Sequence, residues 1–238
     1  YRLLDGIEAM VHLAGHPNDF ARDPQTTYSE NVRITVNLMH AGLESGMRRV
    51  VYASSIQAIT RSRPTHENPV SPCSLPYLPA DGNIPSNPGN LYGLSKQACE
   101  EMLRYYEKMH GISSVALRFP FLVRPEWMGR MKKGRRQHMM GWRCLDELFA
   151  FLPCDDAARL ILAMLKTPLQ GFRVYTPAAR YTRTDEPVAE LIREYYSNVE
   201  LRKPLEEIDG LIDMSRITEE TGWEPQDGPS EPDQPKTS

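Results

Sequence analysis

A short apolar run, a long amphipathic stretch and a second apolar run follow one another within the first 55 residues. The first run is Ala9-Met10-Val11-His12-Leu13-Ala14-Gly15, closed by small residues as a buried strand is. From Thr27 to Ser45 the apolar residues Val32, Val36, Leu38, Met39 and Leu43 recur at helical spacing, and Gly46 fits a helix stop. Arg49-Val50-Val51-Tyr52-Ala53-Ser54-Ser55 is the second strand. Strand, helix, strand is a βαβ crossover, which pairs its strands in parallel, and a parallel sheet needs helices over its faces. The chain is therefore of the α/β class.

The pattern continues. Residues 60–90 are rich in Pro, Asn, Ser and Gly and read as a long loop. A helix is marked from Tyr92 to His110 with Gly111 as its stop, followed by a strand over Ser114–Phe119. Residues 155–166 form an apolar-faced helix, Phe172–Tyr175 a strand, and Val188–Tyr196 a helix. Residues 226–238 hold almost nothing apolar and read as a disordered tail. With 238 residues, 40% hydrophobic, the chain can bury the core of one domain with a small lobe. A net charge of −3 points to no nucleic-acid or membrane partner, and no apolar run is long enough to span a bilayer. Four cysteines lie far apart without a CxxC pair, which suggests reduced thiols and a cytoplasmic location. No His, Cys, Asp and Glu set has metal-ligand spacing, so no metal is expected.

Ligands of open α/β sheets sit beyond the carboxyl ends of the strands. There the chain places Ala14–Asp19, Ser54–Ala58 and Phe119–Arg124. Tyr92 and Lys96 are four apart and share one helix face. A cation beside a phenol favours the phenolate, so Lys96 is expected to lower the pKa of Tyr92 and make it a general acid or base. A serine hydroxyl at the neighbouring strand end can hold the same substrate oxygen.

The succession VHLAG, ENVRITVNLMHAG, RRVVYASS, YGLSKQACEEM, VALRFP, LPCDDAARLILAM and DMSRITEETGWEP resembles the extended short-chain dehydrogenase/reductase family, the NAD-dependent epimerase/dehydratases. The resemblance is nearest to uronate dehydrogenase-like members, through the ASS strand end and the YGLSK helix. It implies a Rossmann-like doubly wound parallel sheet over residues 1–123 and a C-terminal region, 124–225, that carries a small substrate lobe; residues 155–176 of it would pack back on the core. It further implies NAD or NADP as cofactor and a sugar or nucleotide sugar as substrate, turned over by an oxidoreductase or epimerase. Tyr92 would be the acid/base, Lys96 would bind the nicotinamide ribose and Ser55 the substrate oxygen. Leu13, Ala14, Gly15, Ser54 and Pro120 would flank the cofactor. Asn31 would tie its helix to the active-site strand, and His16, Phe121 and Arg135 are candidate substrate contacts. The helices over 28–45 and 92–110 would form the interface of a homodimer.

The chain also departs from the family. It lacks the Gly-x-x-Gly-x-x-Gly phosphate grip and the acidic residue that follows it. On the order of 60 residues, two βα units, are missing by this comparison, so we expect an N-terminally truncated chain that by itself binds NAD weakly and is inactive alone. Ile56-Gln57 stands where uronate dehydrogenase-like proteins have Asn-His, Pro17 where they have a serine, and Phe121 where many nucleotide-sugar enzymes have Asn. Five basic residues crowd Arg130–Arg136. They read as a solvated loop, or alternatively as a clamp for phosphate or carboxylate through Arg135. The reading that competes with an enzyme is a pseudoenzyme or binding module that keeps the fold without the cofactor.

Overall fold

The computed structural model describes residues 4, 6–18, 22–60, 75–128, 147–184 and 186–226. The basic run with Arg135, the segment 61–74 and the tail after 226 lie outside the described residues.

Strand β1 (Ala9–His12), helix α1 (Pro24–Glu44) and strand β2 (Arg49–Ser55) form the anticipated crossover. Helix α2 (Leu91–His110) leads to β4 (Ser113–Phe119), and α3 (Cys154–Lys166) to β7 (Phe172–Tyr175). These strands make one parallel sheet in the order β1-β2-β4-β7, with Val51 opposite Val11 on one side and Val115 on the other. The α/β, Rossmann-like class is borne out.

Both long helices start earlier than the apolar spacing predicts, because caps precede it. The Asp23 carboxylate accepts from the Thr26 amide at 2.8 Å, with Pro24 at the first helical position. Asn90 accepts from the Gly93 amide at 2.7 Å. Gly111, at φ 67°, ends α2 in the left-handed conformation that glycine adopts without strain.

Alternation along β2 sorts the core. Val50 and Tyr52 face α1 and α2, among Met39, Cys99, Leu103 and Ala116. Val51 faces α3, among Val115, Leu117, Leu160, Met164 and Trp223. At roughly 1.5–3 kcal/mol for each large apolar side chain buried, these two layers hold the sheet between the helices.

A further core joins the 75–84 segment to the C-terminal residues. Leu75, Tyr77, Leu78 and Ile84 pack with Ile56, Phe149, Leu191, Tyr196 and Leu211. The second half of the proline-rich stretch is thus packed rather than a free loop, because its apolar side chains, Ala80 included, are buried. Strand β3 (Tyr77–Leu78) pairs in parallel with β8 (Glu200–Leu201), and β5 (Phe121–Val123) with β6 (Phe151–Pro153). Helices α4 (Val188–Tyr195) and α5 (Ser215–Thr221) complete the described chain. Gln226, expected as the start of a disordered tail, is instead anchored: its amide donates to Asp156 Oδ1 at 2.8 Å.

Candidate active site

The site lies at the carboxyl end of β2. Ser55 leaves the strand and caps a 3-10 turn, Ile56–Ala58, accepting from the Gln57 amide at 3.2 Å. The first turn of α2 abuts this turn so closely that a Cβ on Gly93 would lie 2.3 Å from the Gln57 carbonyl oxygen. Glycine at position 93 is what lets Tyr92 reach Ser55. The two hydroxyls are neighbours, and Ser55, Tyr92 and Lys96 are all buried.

Electrostatics here differ from the expectation. Burial pushes the Tyr92 phenol up to about 12; the neighbouring Ser55 hydroxyl opposes this and the Glu147 carboxylate reinforces it. Lys96 does not lower it. The ammonium donates to the Ala53 carbonyl at 2.7 Å and stands 5.6 Å from the Tyr92 ring centroid and 4.9 Å from that of Tyr52. Burial brings Lys96 itself down to about 8, against the opposing pull of Cys99 and Glu100. With both groups out of water, desolvation outweighs their mutual effect.

Ser54 was expected at the cofactor. Its side chain points to the other face of the strand, where it donates to Glu100 Oε1 at 2.5 Å. Arg118 of β4 grips the same carboxylate with two donors, at 3.0 and 2.8 Å, and also donates to the Ile84 carbonyl and to Ser86. This buried Ser54–Glu100–Arg118 network fixes the strand end from beneath. Neither Glu100 nor Arg118 is among the candidate site residues read from the sequence. The signals were present: Glu100 is four residues after Lys96 on the same helix face, and Arg118 interrupts an apolar strand.

Leu13, Ala14 and Gly15 form an exposed turn after β1, with Gly15 at φ 142°. A Cβ on Gly15 would lie 2.9 Å from Asn31 Oδ1. Asn31 ties α1 to this turn, accepting from the His16 amide at 2.7 Å, and to α2, donating to Ser95 at 3.0 Å, rather than to the strand itself. His16 turns its ring to Glu30. His12 is a core residue: its Nε2 bonds Thr35 at 3.0 Å, Nδ1 has no partner among the described residues, and burial lowers its pKa to about 4. Pro120 is buried between β4 and β5, and Phe121 lies under the Arg183 guanidinium, 4.8 Å from its ring centroid.

These residues suit the nicotinamide-ribose end of a dinucleotide. An exposed glycine-bearing turn, a buried ammonium and a buried phenol lie near the ends of adjacent strands. Among the described residues no group of His, Cys, Asp and Glu could hold a metal ion, and no helix is long and apolar enough to cross a membrane.

A parallel sheet flanked by helices, with a Tyr-Lys helix beside a serine-ended strand, defines a protein of the Rossmann-like α/β class. The chain belongs to the NAD dependent epimerase/dehydratase family, whose model matches residues 2–176. It is 33% identical over 115 residues to an NAD-dependent glucose-6-phosphate dehydrogenase of Haloferax volcanii, covering 48% of this chain and 44% of that one. It is 26% identical over 174 residues to a uronate dehydrogenase of Pseudomonas syringae pv. tomato, covering 73% and 52%. Its fold is shared with the UDP-glucose 4-epimerase of Thermotoga maritima solved with UDP-glucose, at a TM-score of 0.62 and 19% identity, over 92% of this chain and 72% of that one. The chain spans about half the length of the curated relatives it matches.

Proposed function

We propose that this chain carries the substrate-activating site of an NAD-dependent sugar dehydrogenase or nucleotide-sugar epimerase. The observation that carries this reading is the buried Ser55–Tyr92 pair with Lys96, also buried, on the next helical turn. The names of the relatives, dehydrogenases and an epimerase of sugars, support the substrate class.

Bound NAD would supply the hydride acceptor. The chain's own residues do the rest. Ser55 donates to the substrate oxygen and sets its lone pairs toward Tyr92. Tyr92 exchanges the hydroxyl proton with that oxygen as the carbonyl forms or is reduced. Lys96 sits on the ribose side, its ammonium aligned by the Ala53 carbonyl. The Leu13–Gly15 turn and Pro120 border the cofactor, Asn31 holds that turn in place, and Ser54 braces the strand end through Glu100. With burial holding the phenol near 12, Tyr92 is protonated at neutral pH and is set to donate that proton to a substrate carbonyl oxygen as it is reduced.

The test is to follow nicotinamide absorbance with the full-length protein against a panel of sugars, uronates and nucleotide sugars. Tyr92→Phe is expected to lower kcat by roughly 10²–10⁴-fold with the circular dichroism spectrum unchanged. Full turnover by the phenylalanine variant would reject Tyr92 as the proton-transfer group.

A further inference from the structure

Gln57, on the turn that follows Ser55, takes part in no step above, yet it touches the residues that do. Its amide donates to Ser55 Oγ at 3.2 Å. Its carbonyl oxygen is the atom that a Cβ on Gly93 would meet at 2.3 Å. Its side chain spans from Asn90, the cap of α2, to Glu147 of the C-terminal lobe, with bonds of 3.0 and 3.5 Å. Backbone bonds from the Asn87 amide to Ala58 and from the Gly89 amide to Thr60 run alongside and stop one residue short of that cap. From there the Gln57 side chain makes the connection.

The direction of each bond in this chain is dictated by the one before it. The Gly93 backbone N–H can only donate, so Asn90 turns Oδ1 to it, at 2.7 Å. Asn90 Nδ2 then faces Gln57, which answers with Oε1. That leaves Gln57 Nε2 to donate to the Glu147 carboxylate, which only accepts. The donor-to-acceptor sense at the start of the Tyr92 helix thus matches the charge on Glu147. Glu147 is itself a fixed point: Arg183 pairs with it, and Leu148 and Phe149, which follow it, are almost wholly buried.

We propose that Gln57 is a positioning residue: its side-chain amide carries a fixed hydrogen-bond polarity from Glu147 of the C-terminal lobe to the cap of α2, and so sets Tyr92 beside Ser55. The catalytic consequence rests on the reading of Tyr92 given above; the placement of the Tyr92 ring does not.

Reversing the polarity tests it. Asp caps a helix as well as Asn does, so Asn90→Asp keeps the Gly93 bond while offering Gln57 an acceptor in place of a donor. Gln57 must then turn Nε2 to residue 90 and Oε1 to Glu147, acceptor against acceptor, and the chain of bonds breaks. In a Glu147→Gln background residue 147 can answer with a donor, and the reversed chain is whole again. The readout is the carbon-13 resonance of Tyr92 Cζ in the full-length protein, identified by its absence in Tyr92→Phe. Asn90→Asp is expected to move this resonance in the otherwise unaltered protein and to move it distinctly less in the Glu147→Gln background. The charge added at residue 90 is common to both, so it cancels from the comparison. A Gln57→Met background, which leaves the Glu147–Arg183 pair untouched, should give the same reduced response. In the nicotinamide assay Asn90→Asp alone should lower kcat by up to about a hundredfold with KM little changed, and most of that loss should be absent in the Glu147→Gln background. An equal response to Asn90→Asp in all three backgrounds, or none in any, would overturn the proposal. A response of the expected pattern together with full turnover by Tyr92→Phe would keep Gln57 as the positioning group and count only against Tyr92 as the proton-transfer group.

Discussion

His12 shows what a single buried titratable group contributes. Its imidazole sits inside the sheet layer, bonded to Thr35 and tilted against Tyr52 at 5.0 Å. Burial, aided by the nearby Lys96 charge, lowers its pKa to about 4 from an ordinary 6.5. Between these values the unfolded chain binds the proton and the folded chain does not, so stability rises with pH from about 4 to 6.5 and is lost as pH falls through that window. Urea unfolding at pH 7 and at pH 4.5 should show the loss, and His12→Gln should show less of it than the unaltered protein. Equal losses in the two would mean that His12 does not carry the effect. At this scale the sequence was informative about Ser55, Tyr92 and Lys96, because helical spacing and strand order place them. It was silent on Glu147 and Arg183, which are 36 residues apart on either side of α3 and β7 and meet only through the tertiary fold. It also misjudged the sign of the Tyr92 shift, since adjacency along a helix says nothing of how far both groups leave water.

Between elements, the Glu100–Arg118 pair joins α2 to β4 and, through Ser54, to β2. Both charges are almost fully buried, at 3% and 4% exposure, so removing one strands the other in a low-dielectric interior. Glu100→Gln is expected to destabilise the protein by about 3–5 kcal/mol in urea unfolding. The double change with Arg118→Met should recover part of that. A double variant no better than the single would show that packing rather than unpaired charge sets the cost. Element types were legible in the sequence because the periods of strand and helix are unambiguous over α1, α2 and β2. Boundaries moved because Asp23 and Asn90 satisfy the amides of the turn that follows them, a local effect that apolar spacing does not register. The 75–84 segment was missed because its prolines mask apolar residues that find partners only in the C-terminal lobe.

For the molecule as a whole, α1 and α2 lie side by side on one face of the sheet and leave apolar side chains outside. Val36, Tyr105 and Met109 are 41%, 54% and 57% exposed. We propose that this face pairs two copies of the protein across a four-helix interface. Sedimentation equilibrium should report a dimer, and a combined Val36→Glu and Met109→Lys change should yield monomers that retain the fold. A monomer before any substitution would reject the interface. The fold class and the parallel sheet were readable from the first 55 residues, whereas the way the C-terminal residues return to the sheet was not. That return depends on contacts such as the Trp223 indole donating to the Asp156 carbonyl at 3.3 Å, which no periodicity encodes.

The short pairing of Tyr77–Leu78 with Glu200–Leu201 extends further, because Ala80 donates to the Leu211 carbonyl and accepts from the Asp213 amide, each at 2.8 Å. A stretch of backbone that lies between β2 and α2 in sequence is thereby stitched into the far end of the chain. Such a seam resists any swinging apart of the two halves as rigid bodies. Heating should therefore melt both halves together, as one calorimetric peak.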